Sequence, residues 1–195
     1  MLVLGIDPGT AVTGYGLVTA GDGNVASRRS PLAAMRLLEC GVIRTRAHDP
    51  LPDRLREIHE GVAELIARHR PTHLAVENTF HARNPRTTLA LGQARGVVLL
   101  AGASAGLVIR EYPPAEVKKA ITGTGSATKL QVQFMLARML RLKDAPQPAD
   151  ASDGVAVAVT CLLVAHIERL SAHAELTGSS GNGVRVTPRH APRIA

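Results

Sequence analysis

The apolar positions of the chain follow a strand period first and a helical period later. Apolar runs at 2–6, 13–19 and 37–45 have the length of strands. Pro8 and Gly9 supply a tight turn after the first run. These features predict three consecutive strands that form an antiparallel meander.

The remaining pattern predicts five helices and two further strands. A helix-start signal at 49–53 precedes apolar residues at helical spacing, and Pro71 ends that helix. Ser126 is the predicted N-cap of the fourth helix, and Phe134 lies on an apolar stripe of that helix that we expect to face the core. The later segments are strands at 74–76 and 107–111 and helices at 87–105, 114–120, 127–142 and 150–170.

This order of elements predicts an α/β fold with a five-stranded mixed sheet flanked by helices. Strands that are separated by helices run parallel with right-handed crossovers, so two parallel strands would follow the three antiparallel ones. One domain would cover residues 1–172, and residues 173–195 would form a disordered basic tail because they are rich in Gly, Ser, Pro and Arg. We also expect a mobile basic loop at 21–32.

Four carboxylates stand where this fold would place a functional site. Asp7 and Glu77 follow two buried strands that we expect to be parallel neighbours, and Asp150 and Asp153 share one face at the start of the last helix. Asp7 could instead cap its own turn, and Asp150 and Asp153 could cap the helix. Together, however, they would repel one another unless a cation neutralised them. Mg²⁺ takes oxygen ligands, and two ions ~4 Å apart suit phosphodiester hydrolysis.

Composition and charge narrow the class of protein. The chain has 195 residues, of which 45% are hydrophobic, so it can bury one core. Its formal net charge of +7 suggests nucleic acid as a partner. Cys40 and Cys161 have no metal-site spacing and are expected to be buried thiols. The chain opens directly on a strand and shows no membrane-spanning run, with 92–107 the nearest, so we expect a cytoplasmic protein without a membrane partner.

Five short motifs together resemble one protein family, the bacterial crossover junction endodeoxyribonucleases RuvC, over roughly residues 1–170. They are GIDPGT at 5–10, TGYG at 13–16, VENTF at 76–80, LGQARG at 91–96 and ADASD at 149–153. The resemblance implies a ribonuclease H-like fold and a homodimer whose contact is the small-residue helix at 87–105. It implies resolution of Holliday junctions by paired symmetric nicks, in DNA recombination and repair, and a partnership with the branch-migration complex RuvA–RuvB.

The same resemblance assigns the metal site. Its acidic quartet falls on Asp7, Glu77, Asp150 and Asp153, which would hold two Mg²⁺ ions per active site, with Mn²⁺ as a substitute. Asp7 would bridge both ions, Glu77 and Asp150 would hold one each, and Asp153 would complete the shell or orient water.

Further residues are candidates for DNA contact. Lys129 would stand in a first helical turn, where a cation opposes the helix dipole, and such a placement favours a function. The resemblance implies a phosphate-contacting or catalytic lysine here, and likewise at Lys118. Phe80 has small and polar neighbours, which favours an exposed tip that stacks on bases or wedges between them. Arg83 and Arg86 on the same loop would meet phosphates.

Two other classes of function remain alternatives at this stage. An ATPase or sugar kinase carries a similar Asp-Pro-Gly-Thr phosphate loop, although this chain is too short for the duplicated domains of those enzymes. A noncatalytic junction-binding protein would also be basic. Cleavage of a four-way junction with Mg²⁺ separates the nuclease from both alternatives.

Overall fold

The computed structural model describes residues 1–21, 35–78 and 84–178. Within these ranges the chain forms five strands and five helices. The strands are β1 (Leu2–Asp7), β2 (Val12–Ala20), β3 (Met35–Arg44), β4 (His73–Glu77) and β5 (Val108–Tyr112), and the helices are α1 (Leu51–His69), α2 (Pro85–Ser104), α3 (Pro114–Thr122), α4 (Lys129–Met139) and α5 (Ala149–Gly178).

The five strands form one mixed sheet in the order β3-β2-β1-β4-β5. β1 pairs with β2, and β2 with β3, in antiparallel register, whereas β1 pairs with β4, and β4 with β5, in parallel register. The predicted sheet is therefore confirmed. Ile6 lies opposite Val76, so Asp7 and Glu77 end neighbouring strands at the same edge of the sheet.

The sheet lies between two helical layers. Leu4, Ile6 and Val76 are buried in a cluster with residues of α1 and α2. Val3 and Ala75 belong to the opposite cluster, which includes residues of α3, α4 and α5. Because side chains alternate along a strand, the residues two positions beyond Gly5 and Ala75 face the α5 layer. Those residues are Asp7 and Glu77.

Helix α5 rests on the sheet at glycines that have no room for a side chain. A Cβ atom on Gly14 would overlap the carbonyl oxygen of Asp150, and one on Gly5 would overlap that of Gly154. At Gly16 it would come within 2.7 Å of Val155 backbone atoms. The backbone of the helix therefore contacts β1 and β2 directly, and this contact brings its first two turns to the edge where Asp7 lies.

The start and the exposed face of α4 differ from the prediction. Its N-cap is Thr128 and not Ser126: the Thr128 hydroxyl accepts the Gln131 backbone N–H at 3.3 Å, and Gln131 Oε1 accepts the Thr128 N–H at 2.8 Å. Phe134 is 60% exposed, so its predicted core position is wrong. The helix has apolar residues on two faces, and the face that carries Val132 and Leu136, rather than the one that carries Phe134, packs into the core.

Helix α5 is longer than predicted and continues to Gly178, so residues 173–178, expected in the tail, are helical. Residues 22–34 and 179–195, which include most of the predicted basic loop and tail, lie outside the described residues, and the domain boundary stays a prediction.

By length and composition alone, Ala149–Ala174 could cross a membrane, contrary to expectation. However, Ala151, Val155 and Val159 on its first half are buried in the core, so α5 serves as the core helix. Cys161 is buried, whereas Cys40 is half-buried.

We expect Gly14→Ala to push α5 off the sheet, because the added Cβ meets backbone and not a flexible side chain. The predicted loss of unfolding free energy is about 3 kcal/mol, measured by urea denaturation. Gly61→Ala in α1 is the control, because the atoms nearest to a Cβ at Gly61 all belong to the side chain of Ile43, which can shift, and alanine there favours the helix by about 1 kcal/mol. Equal stability of the two variants would contradict the direct seating of α5.

Candidate active site

The four predicted carboxylates come together on one side of the sheet edge. Asp7 and Glu77 end β1 and β4, while Asp150 and Asp153 lie in the first turns of α5. All four side chains are partly buried. Glu77, Asp153 and Asp150 each act electrostatically on Asp7, so residues that are distant along the chain form one acidic cluster.

The turn that follows Asp7 is held by hydrogen bonds between its own residues. Thr13 is fully buried, and its hydroxyl donates to the Gly9 carbonyl at 2.7 Å and accepts the Gly9 N–H at 3.3 Å. A Cβ on Gly9 would overlap the Val12 carbonyl, so only glycine fits. The motif from Asp7 to Thr13 is therefore a rigid support for the carboxylate at its start.

Clustering of the carboxylates has its largest effect on the pKa of Asp7. Burial, together with the negative charges of Glu77, Asp153 and Asp150, raises the pKa of Asp7 to about 7. The ammonium group of Lys129 opposes this increase but does not cancel it. A carboxylate with this pKa is partly protonated near neutral pH, and a bound cation would remove the repulsion that protonates it.

Lys129 reaches this cluster from the first residue of α4. Its Nζ donates a hydrogen bond to Asp153 Oδ2 at 2.6 Å. Burial alone would lower the pKa of Lys129, but the bond to Asp153 and the charges of Asp150 and Asp7 raise it overall. Because a cation in a first helical turn opposes the helix dipole, the acidic cluster is what compensates for its position.

A cleft of about 320 Å³ opens beside the cluster and is bounded on its other side by α2. Arg95, one turn after Leu91, forms part of the α2 wall, and its Nε donates to Glu111 Oε2 at 2.8 Å. Sequence reasoning gave Arg95 no role, although the LGQARG motif at 91–96 contains it. The cleft is lined by Asp7, Pro8, Glu77, Leu91 and Arg95.

The structure does not bring the other predicted DNA-contact residues into the acidic cluster. Lys118 is half-buried in α3, and the charges that act on Asp7 include Lys129 but not Lys118. Arg86 is exposed in the first turn of α2, where its backbone N–H donates to the Asn84 N-cap at 2.9 Å. Phe80 and Arg83 lie outside the described residues and stay predictions.

The donor set at this edge consists of carboxylate oxygens, which suits a hard divalent cation. Among the residues that the structure describes, no three His, Cys, Asp or Glu side chains are gathered closely enough to hold an ion by themselves. Mg²⁺ commonly takes only one or two carboxylates and completes its shell with water and substrate phosphate. The open cluster therefore fits Mg²⁺ that is shared with a phosphate-bearing substrate.

Comparison with known proteins gives the family. A family model described as crossover junction endodeoxyribonuclease RuvC matches residues 3–161. The chain belongs to the RuvC family. It is 46% identical over 159 residues to the RuvC of Pelotomaculum thermopropionicum, covering 82% of this chain and 91% of the relative. It is 48% identical over 161 residues to that of Heliobacterium modesticaldum, covering 83% and 93%.

A solved RuvC structure agrees with the fold. Thermus thermophilus RuvC in complex with Holliday junction substrate is 36% identical and superposes with a TM-score of 0.78, covering 86% of this chain and 96% of that one. The ribonuclease H-like fold expected from the motifs is therefore confirmed. Asp7, Glu77, Asp150 and Asp153 all lie inside the residues that the RuvC family model matches.

The raised pKa of Asp7 predicts how the metal-free protein responds to pH. The pKa is above its unfolded value of 3.8, so the contribution of Asp7 to stability is present at acidic pH and is lost as pH rises from about 4 to about 7. Asp7→Asn should therefore raise the unfolding free energy in EDTA at pH 8, by about 2 to 4 kcal/mol, and change it little at pH 4.

Urea denaturation at both pH values measures this difference. Asp144→Asn is the control, because Asp144 is exposed in the turn before α5. A destabilised Asp7→Asn variant at pH 8 would show that the cluster is not electrostatically strained.

Proposed function

We propose that this protein is a Mg²⁺-dependent endonuclease that resolves four-way DNA junctions by paired symmetric nicks, in DNA recombination and repair. The observation that carries the proposal is the convergence of Asp7, Glu77, Asp150 and Asp153 on one sheet edge, in a chain of the RuvC family. A net charge of +7 is consistent with a DNA substrate. The same substrate fits the predicted cytoplasmic location.

The acidic cluster would hold the metal ions. Two Mg²⁺ ions, when bound, lower the pKa of a water molecule and offset charge on the scissile phosphate, and Mn²⁺ can substitute. We assign Asp7 to the centre of the cluster because the other three carboxylates all act on it. Glu77 on the sheet and Asp150 on α5 would hold one ion each, and Asp153 would complete the shell or orient water.

Lys129 would act on the reacting phosphate. Asp153 fixes its ammonium group at the cluster through the 2.6 Å bond, so the donor is oriented before substrate binds. A fixed cationic donor can hydrogen-bond to the phosphate oxygen where negative charge develops. Phe80, Arg83, Arg86 and Lys118 are proposed to contact the DNA around the reacting strand.

The outward face of α2 supports the proposed homodimer. Leu89 and Leu100 are 67% and 57% exposed, and Gly92 and Gly96 between them meet nothing within 4 Å. Such a surface allows two helices to pack closely, which would bury the leucines. A twofold axis along this face would present two active sites to the two opposed strands of a four-way junction. Partnership with RuvA–RuvB stays a prediction from the family resemblance.

The experiment that tests the function compares a synthetic mobile four-way junction with a linear duplex. In Mg²⁺ the protein should nick the junction symmetrically in opposed strands and leave the duplex intact, and Asp7→Asn should abolish nicking while junction binding persists. Tight binding without cleavage in any divalent metal would support the noncatalytic alternative. ATP-dependent phosphorylation without cleavage would support the kinase class.

The position of Lys129 predicts a loss of turnover rather than of binding. We expect Lys129→Gln to reduce the single-turnover nicking rate about 100-fold, the typical effect of removing one oriented donor, while the junction Kd changes by about threefold or less. Lys119→Gln is the control, because Lys119 is exposed in α3. Wild-type nicking by Lys129→Gln would refute the assignment.

The proposed dimer predicts that a charge on α2 separates the protomers. Leu100→Glu should shift the protein from dimer to monomer in sedimentation equilibrium, because burying an unpaired carboxylate in the interface is strongly unfavourable. Phe134→Glu on α4 is the matched control, since Phe134 is equally exposed and lies on another surface. A dimeric Leu100→Glu variant would place the contact elsewhere.

A further inference from the structure

The cleft beside the acidic cluster has a cationic wall as well as an acidic one. Asp7 and Glu77 line one side, and Arg95 lines the side formed by α2. A DNA strand that enters this cleft brings phosphates on both sides of the scissile bond. Carboxylates repel those phosphates, whereas a guanidinium group attracts them and matches their geometry. The position of Arg95 is therefore suited to a phosphate that is not itself cleaved.

Arg95 is also held in a defined orientation. Its Nε and Nη2 both donate to Oε2 of Glu111, on one edge of the guanidinium group. Glu111 lies opposite Val76 in the parallel pair of β4 and β5, one position before the pair that contains Glu77. The same register therefore places both Glu77 and the partner of Arg95. Arginine has five N–H donors, so it can bind Glu111 and a phosphate together.

We propose that Arg95 binds a phosphate of the DNA strand next to the scissile phosphate, and that Glu111 positions it. This inference rests on the proposed nuclease function. It gives the site two cations with different tasks: Lys129 is bonded to Asp153 inside the acidic cluster, while Arg95 lies on the opposite wall of the cleft. A strand held from both walls would be fixed relative to the carboxylates.

The alternative is that the Arg95–Glu111 pair only fastens α2 to β5. A second pair on β5 provides a matched control for this role. Arg110 donates to both carboxylate oxygens of Glu168 on α5, at 3.2 and 3.1 Å, and Arg110 is not among the residues that line the cleft. Replacing either arginine removes one Arg–Glu pair that includes a residue of β5. Only Arg95, however, lines the cleft where the phosphate is proposed to bind.

The test measures junction affinity against NaCl concentration in EDTA, where cleavage does not interfere. Arg95→Gln should weaken binding about tenfold at moderate salt and lower the slope of log Kd against log salt by about 1, the change expected for one lost phosphate contact. Arg110→Gln should leave both values as in the wild type. Equal slopes for Arg95→Gln and the wild type would overturn the proposal.

Cleavage in Mg²⁺ tests the positioning role of Glu111. Glu111→Gln should lower the nicking rate about tenfold and leave the salt slope unchanged, because the charge of Arg95 remains. The double variant should nick no more slowly than Arg95→Gln alone. If the two losses multiply independently, Glu111 does not act through Arg95, and the proposal fails.

Two further outcomes keep the inference separate from the proposed function. If the wild type does not cleave junctions, the proposed function fails, but the salt slope still tests Arg95. If Arg95→Gln does not fold, Arg95→Lys retains the charge and loses the planar fork that holds two partners. We then expect a wild-type salt slope with nicking slowed about tenfold, and wild-type nicking would overturn the proposal.

Discussion

The direct contact between helix α5 and the glycines of β1 and β2 is the constraint on which the active site depends. Gly5, Gly14 and Gly16 carry no side chain, so the helix backbone lies against the sheet. A helix held at ordinary side-chain distance would keep its first turns away from the sheet edge. The close contact is what lets Asp150 and Asp153 share a site with strand residues that are about 70 to 150 positions earlier in the chain.

Bringing the four carboxylates together makes them repel one another. Burial and the charges of the three other carboxylates raise the pKa of Asp7 to about 7, which means that the fold holds charges together that would separate in water. The ammonium group of Lys129 offsets part of the repulsion by bonding to Asp153. Divalent cations would neutralise this repulsion most effectively, and such cations also support phosphodiester hydrolysis. The packing of α5 against the sheet is therefore what makes this chemistry possible at the site.

Sequence reasoning predicted the parts of the molecule that depend on chain order and periodicity. The sheet follows from the alternation of strand and helix, and the shared edge of Asp7 and Glu77 follows from parallel pairing. The seating of α5 could not be predicted in the same way, because nothing local indicates which glycines meet a helix. Phe134 was misplaced because α4 has apolar residues on two faces, and only tertiary packing decides which face is buried.

The role of the acidic cluster is tested most directly by a crystal structure of the protein soaked with Mn²⁺ and examined by anomalous scattering. We expect two anomalous peaks among the carboxylates of Asp7, Glu77, Asp150 and Asp153, with α5 still resting on the glycines. Metal bound elsewhere, or bound only after α5 has moved away from β1 and β2, would contradict it.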